Sequence, residues 1–138
     1  MAEQRHRIPD LVFWAVWLGI LGSVLVVQHR LGGGIPRGRN ADGALPPPAV
    51  LVLSGAFALA SIFFRWRMIP GQSDRKKALV LMVAGLAFAN ALADFGIFLV
   101  PAGYPQTKLA YFVAALCCIL MLAPTFLEGP PAPPRGPA

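Results

Sequence analysis

Four long stretches of this sequence carry almost no charge, and a chain built that way has few folds open to it. They are Leu11–Val27, Ala49–Phe64, Ala78–Val100 and Leu109–Leu127, of 17, 16, 23 and 19 residues. A helix rises about 1.5 Å per residue, so roughly 20 residues cross a hydrocarbon core of about 30 Å. The third and fourth stretches come close to or exceed that length unaided. The first two reach it by recruiting Pro9 and Asp10, and Leu45 with Pro46, Pro47 and Pro48, since proline suits a first helical turn. None of the four alternates with period two, as a strand of a membrane barrel must. The sequence therefore predicts an all-α polytopic membrane protein, an antiparallel four-helix transmembrane bundle occupying residues 11–128. Its helices are expected at about 11–28, 46–66, 78–100 and 108–127, with short links joining the last three.

Composition agrees. Hydrophobic residues make up 57% of the 138, charged residues only 13%, and the mean hydropathy is +0.63. A soluble domain of this size leaves too much surface exposed to hide so many apolar side chains. The formal charge of +6 raises the question of nucleic acid. The 12 basic residues, however, sit in the gaps between apolar runs and form no stripe with interleaved aromatics, so nucleic acid is not an expected partner. Cys117 and Cys118 are adjacent within an apolar run and are no disulfide framework. The first run is too long for a signal-peptide core, and Ser23–Gln28 offers no small-x-small cleavage site, which predicts an uncleaved anchor.

Positively charged residues favour the cytoplasmic side. Arg5, Arg7, Arg65, Arg67, Arg75, Lys76, Lys77 and Arg135 fall on one side of the four runs, eight against the four of Arg30, Arg37, Arg39 and Lys108. Both termini are accordingly expected in the cytoplasm, residues 1–10 forming the N-terminal segment, in a bacterial-type inner (plasma) membrane. Trp14, Trp17 and Trp66 lie near the cytoplasmic ends of their runs, and Tyr104 and Tyr111 near the outer ends, as interfacial anchors would. The segment Leu31–Ala44, rich in glycine and arginine, reads as an irregular outer loop. The proline-rich tail 129–138 reads as extended and disordered. Its Pro130, Pro133 and Arg135 have the spacing that SH3-type grooves accept, within a composition biased toward Gly, Ala and Pro.

One ionisable residue, Asp94, stands well inside an apolar run, and such a carboxylate is a functional candidate by default. Its insertion cost of about 2.5–3.5 kcal/mol is outweighed by the 12 Leu, Ile, Val and Phe residues of the same run, at about 0.3–0.6 kcal/mol each. Asn90 lies one turn earlier on the same face, flanked by Ala87 and Ala91. This small polar face is expected to point into the bundle. Ser23 and Ser54 fall at a similar depth on the first and second helices, roughly 6–9 Å below the outer boundary. Together, Asp94, Asn90, Ser23 and Ser54 are expected to form one intramembrane polar layer, in which a neutral Asp94 donates a hydrogen bond to a serine. Small faces at Ala15, Gly19 and Ser23, at Ser54, Ala58 and Ser61, and at Ala110, Ala114 and Cys118 predict close helix packing.

No cofactor, metal or catalytic residue is predicted. His6 and His29 lie near opposite membrane faces and cannot share an iron, and no nucleophile–base pair, zinc signature or phosphate loop occurs. The ten residues Phe88–Ile97 locally resemble the carboxylate-bearing helix of ATP synthase c-type subunits, in which glycine follows the acid by six residues. Here Asn90 holds the acid's place and Asp94 comes one turn later. Small multidrug-resistance pumps are likewise short and four-span, but their acid lies in the first helix, where this chain has none. Neither similarity assigns a family. The function expected is that of a non-enzymatic accessory or scaffold subunit of a membrane assembly. Its partners would be the lipid bilayer and a homo-oligomer or larger complex. The alternative is an ion- or proton-linked transporter component using Asp94 and Asn90.

Overall fold

The structure, a computed structural model, describes residues 8–41 and 47–127. Arg5, Arg7, Leu45, Pro46 and the tail with Pro130, Pro133 and Arg135 lie outside them. Within the described residues the chain is all-helical, in four helices each long and apolar enough to cross a membrane. Helix α1 spans Asp10–Arg30, α2 Pro48–Phe63, α3 Arg75–Phe98 and α4 Pro105–Met121.

Local chemistry explains the ends. Asp10 in the first turn and His29 and Arg30 in the last complement the dipole of α1. Proline at the first position fixes the start of α2 and of α4, where a backbone N–H would have no partner anyway. For α3, the Asp74 carboxylate accepts from Lys76 N–H at 2.9 Å, so the helix begins at Arg75, three residues before the apolar run does.

Helix α2 does not stop at Phe63. It passes directly into a π-helical turn, Phe64–Met68, lengthening the helical stretch to the 21 residues Pro48–Met68. The charged residues Arg65 and Arg67, which suggested an end near residue 66, are carried on this turn. Past Met121, α4 tightens into a 3₁₀ turn over Pro124–Leu127.

Helix α3 is the hub, in contact with each of the other three. Its Met82, Leu86 and Ala89 are fully buried, as are Ala115 and Ile119 of α4 and Phe13 of α1. On the α2 side, the Phe57 ring lies 5.2 Å from both Phe88 and Phe95. Two glycines of α3 mark where α4 comes closest. A Cβ on Gly96 would sit 2.8 Å from Tyr111 Cβ, and one on Gly85 would sit 3.1 Å from Leu122.

Buried polar groups stitch these contacts. Ser61 Oγ donates to Gly85 C=O at 3.0 Å, with the Cys118 thiol against it. Trp17 is buried, and its indole N–H donates to Ile119 C=O at 2.7 Å. Trp17 thus joins α1 to α4 and corrects the expectation of an interfacial anchor: its N–H needs an acceptor once buried, and the end of α4 provides one. Trp66, 68% exposed, and Trp14, 38% exposed, are the outward-facing tryptophans of the set.

Candidate functional site

The polar pair predicted on α3 forms. Asn90 Nδ2 donates to Asp94 Oδ2 at 3.0 Å, the i, i+4 geometry that stacks two side chains on one helical face. Both residues are half-buried.

The direction of that face is a correction. The buried stripe of α3 runs through Ala78, Met82, Gly85, Leu86, Ala89, Leu92, Ala93 and Gly96. Asp94 is not on it. It follows Val83 and Ala87 and precedes Phe98 at spacings of four, seven and four, and those three are exposed, Val83 by 39% and Phe98 by 65%. Asn90 lies on the near flank of the same outer stripe. The pair therefore rims the outside of the bundle. The interior of α3 is already filled by the stripe that meets α4 and the phenylalanines that meet α2, so no space is left there for a polar face.

The serines do not join the pair. Ser54 is buried, 8% exposed, and donates to Val50 C=O of its own helix at 2.6 Å. Ser23 is exposed and donates to Ile20 C=O at 2.8 Å. Helical serines commonly satisfy themselves this way, and here it removes the need for an interhelical partner. The expected single layer of four residues is thus two separate arrangements: a bonded Asn90–Asp94 pair and two serines turned back on their own backbones. The small face Ala15, Gly19 and Ser23 lies outward on α1, whereas Ser54 and Ser61 of α2 and Cys118 of α4 are buried.

Three features at the ends of the bundle were missed by sequence reasoning. Arg65 Nε donates to Met121 C=O at 2.7 Å and its Nη2 to Thr125 Oγ1 at 3.2 Å, while its guanidinium lies 5.3 Å from the Phe126 ring. A residue assigned to loop charge thereby fastens the end of α2 to the end of α4. Arg75 pairs with Asp10 and also donates to Ile8 C=O at 3.1 Å, tying the start of α3 to the start of α1. A cleft of about 180 Å³ opens beside it, lined by Ile69, Pro70, Gln72, Ala78, Phe126 and Leu127. At the other end, Asn40 of the first loop reaches the beginning of α4. Only the residue types of Arg65, Arg75 and Asn40 were visible in the sequence; their partners lie 56 to 67 positions away.

Chemically the site is sparse. Among the described residues no three His, Cys, Asp or Glu side chains gather as metal ligands, and Asp94 has no cation within salt-bridge distance. What it offers is a carboxylate and an amide, mutually bonded, displayed from an otherwise apolar helix face. No protein-family model matches the chain, and no curated protein or solved structure matches it.

Proposed function

We propose that this chain is an integral membrane protein, an antiparallel four-helix transmembrane bundle that serves as a non-enzymatic accessory or scaffold subunit of a membrane assembly. Both termini lie on the cytoplasmic face of a bacterial-type inner membrane. The reading of insertion rests on four helical stretches of 21, 21, 24 and 23 residues, each apolar enough to cross a bilayer. The apolar side chains they expose, Leu18, Val26, Val52 and Leu59 among them, have no place in water but suit lipid.

An antiparallel order is supported by contact register. Phe57 meets Phe95 and Phe64 meets Phe88, while Tyr111 abuts Gly96 and Leu122 abuts Gly85. The Asp10–Arg75 pair groups the starts of α1 and α3, and Arg65 groups the ends of α2 and α4. Arg65, Arg67, Arg75, Lys76 and Lys77 all belong to that end, the cytoplasmic one by the positive-inside bias.

The observation that carries the scaffold reading is the outward placement of Asn90 and Asp94. A polar pair on the outside of a bundle meets neighbours, whereas a pathway through a bundle needs polar groups inside it. The alternative, an ion- or proton-linked transporter component, draws on the same pair, since among the described residues no cation lies within salt-bridge distance of Asp94. Ion flux into proteoliposomes, measured across pH for the wild type and Asp94→Asn, separates the two. The scaffold reading expects flux equal to that of protein-free vesicles. A pH-dependent flux that Asp94→Asn abolishes would replace it with the transporter reading.

A further inference from the structure

Two outer faces of the bundle carry small residues, the one on α3 bounded by the larger exposed Val83 and Phe98, and they differ in one respect. On α1, Ala15, Gly19 and Ser23 are exposed, but the Ser23 hydroxyl is already bonded to Ile20 C=O. On α3, Ala87 is exposed and Ala84 and Ala91 half-exposed around Asn90 and Asp94. There the hydrogen-bonding capacity is not used up. An amide carries two N–H donors and a carboxylate about four lone-pair sites, and the Asn90–Asp94 bond at 3.0 Å consumes one of each.

We propose that the outer stripe of α3 is a self-association face, on which two copies of this chain complete each other's Asn90 and Asp94 hydrogen bonds. The proposal rests on the membrane reading above and names the partner of that half-buried outer pair. A second copy fits because the face is its own complement. Copies inserted the same way are related by a two-fold axis along the bilayer normal, which sets identical residues at identical depth. The Asn90 and Asp94 side chains of one copy meet at a single level of the helix, so the same pair in the other copy stands opposite. The free N–H of each Asn90 then faces the Asp94 carboxyl of its neighbour, and a proton carried on either acid adds a donor. Ala84, Ala87 and Ala91 let the backbones approach at the level of the pair, as small residues do between helices in lipid, while Val83 and Phe98 of the same stripe pack above and below it. Lipid alone leaves the polar capacity unmet; a second copy meets it with residues the chain already has.

The test uses the full chain with Cys117→Ala and Cys118→Ala, reconstituted in phosphatidylcholine vesicles. Single Ala87→Cys and Ala91→Cys substitutions are oxidised with copper phenanthroline, and Val113→Cys, on the exposed side of α4, is the control. A covalent dimer is expected at 87 and 91 and not at 113. Adding Asp94→Leu or Asn90→Leu is expected to lower the cross-linking yield at limiting protein density by roughly three- to tenfold, the range one interhelical hydrogen bond carries in lipid. Asp94→Asn retains an acceptor and a donor and keeps the dimer, and Gly19→Leu, on the other small face, leaves it unchanged. No dimer in vesicles from which carbonate does not release the protein would overturn the proposal and leave the membrane reading standing. A dimer indifferent to Asp94→Leu, or one broken by Gly19→Leu, would overturn it as well. Release by carbonate would fell the membrane reading, and this proposal with it.

Discussion

Asn40 caps a helix that starts 65 residues after it in the chain: its Oδ1 accepts from the backbone N–H of Gln106 at 2.9 Å, in the first turn of α4. The same oxygen takes the Thr107 N–H at 3.4 Å, and the amide donates to Thr107 Oγ1 at 3.1 Å. Helix α4 has no side-chain cap at its own preceding residue, Tyr104. A neighbouring Ala41 N–H to Gly103 C=O bond of 2.8 Å holds the loop in place, and Gly33, Gly34 and Gly38, all at positive φ, supply its turns.

Asn40→Ala is therefore expected to destabilise the protein by about 1 kcal/mol, the usual cost of losing an N-cap. Asn40→Asp, which keeps the acceptor, is expected to recover most of it. Thermal unfolding followed by circular dichroism in detergent reads both. Equal melting temperatures for wild type and Asn40→Ala would remove the cap from the account.

The glycines of α3 should respond unlike Gly55, the glycine of α2. Gly96→Ala forces a Cβ to within 2.8 Å of Tyr111 Cβ, and α3 and α4 must separate or tilt to relieve it. A loss of about 1–3 kcal/mol follows from overpacking of this kind. Gly55→Ala has nothing within 4 Å and is expected to be neutral or stabilising, because alanine is the better helix former. The sign difference between the two is the measurement; the same sign for both would contradict the close approach at Gly96.

Arg65→Lys retains the charge but cannot supply both the Nε bond to Met121 C=O and the Nη2 bond to Thr125 Oγ1. The expected cost is on the order of 1 kcal/mol, accompanied by faster hydrogen exchange at Phe126 and Leu127, whose turn loses its fastening to α2. Trp66→Phe removes an exposed 3.4 Å contact to Met121 Sδ but keeps an aromatic ring beside the Arg65 guanidinium, and is expected to leave both readouts unchanged.

Topology is open to direct chemistry. In the background lacking Cys117 and Cys118, Gly38→Cys in intact cells is expected to react with a membrane-impermeant maleimide, and Ser73→Cys is expected to react only after permeabilisation. The reverse pattern would invert the proposed orientation.

The pairing of Asn90 with Asp94 was legible because it depends on spacing along one helix, a property the chain carries locally. The direction of their face was not. Finding a helix's inner side from sequence needs contrast between an apolar and a polar side, and α3 offers little: Leu86 is buried and Val83 exposed, Ala89 buried and Ala87 exposed. The polar pair read as the odd face and so as the one to hide, whereas packing had already filled the inside with Met82, Leu86 and the glycine contacts to α4. Ser23 and Ser54 were misread for a related reason, since depth along a helix says nothing about whether a hydroxyl turns to a neighbour or to its own backbone.

By itself the sequence determined that the chain would be helical in four stretches, each long and apolar enough to cross a membrane, because length and apolarity are sums over consecutive residues. The starts of α3 at Arg75 and α4 at Pro105 each come three residues before the 78 and 108 expected from the apolar runs, because the Asp74 cap and the first-turn proline set them. Only the tertiary structure decided which side of each helix meets another, that Trp17 is an internal tie, that Arg65 and Asn40 fasten helix ends, and that Asp94 lies on the outside. These depend on the shapes that interlock between segments far apart in the chain, and residues of nearly equal hydropathy fit such contacts very differently.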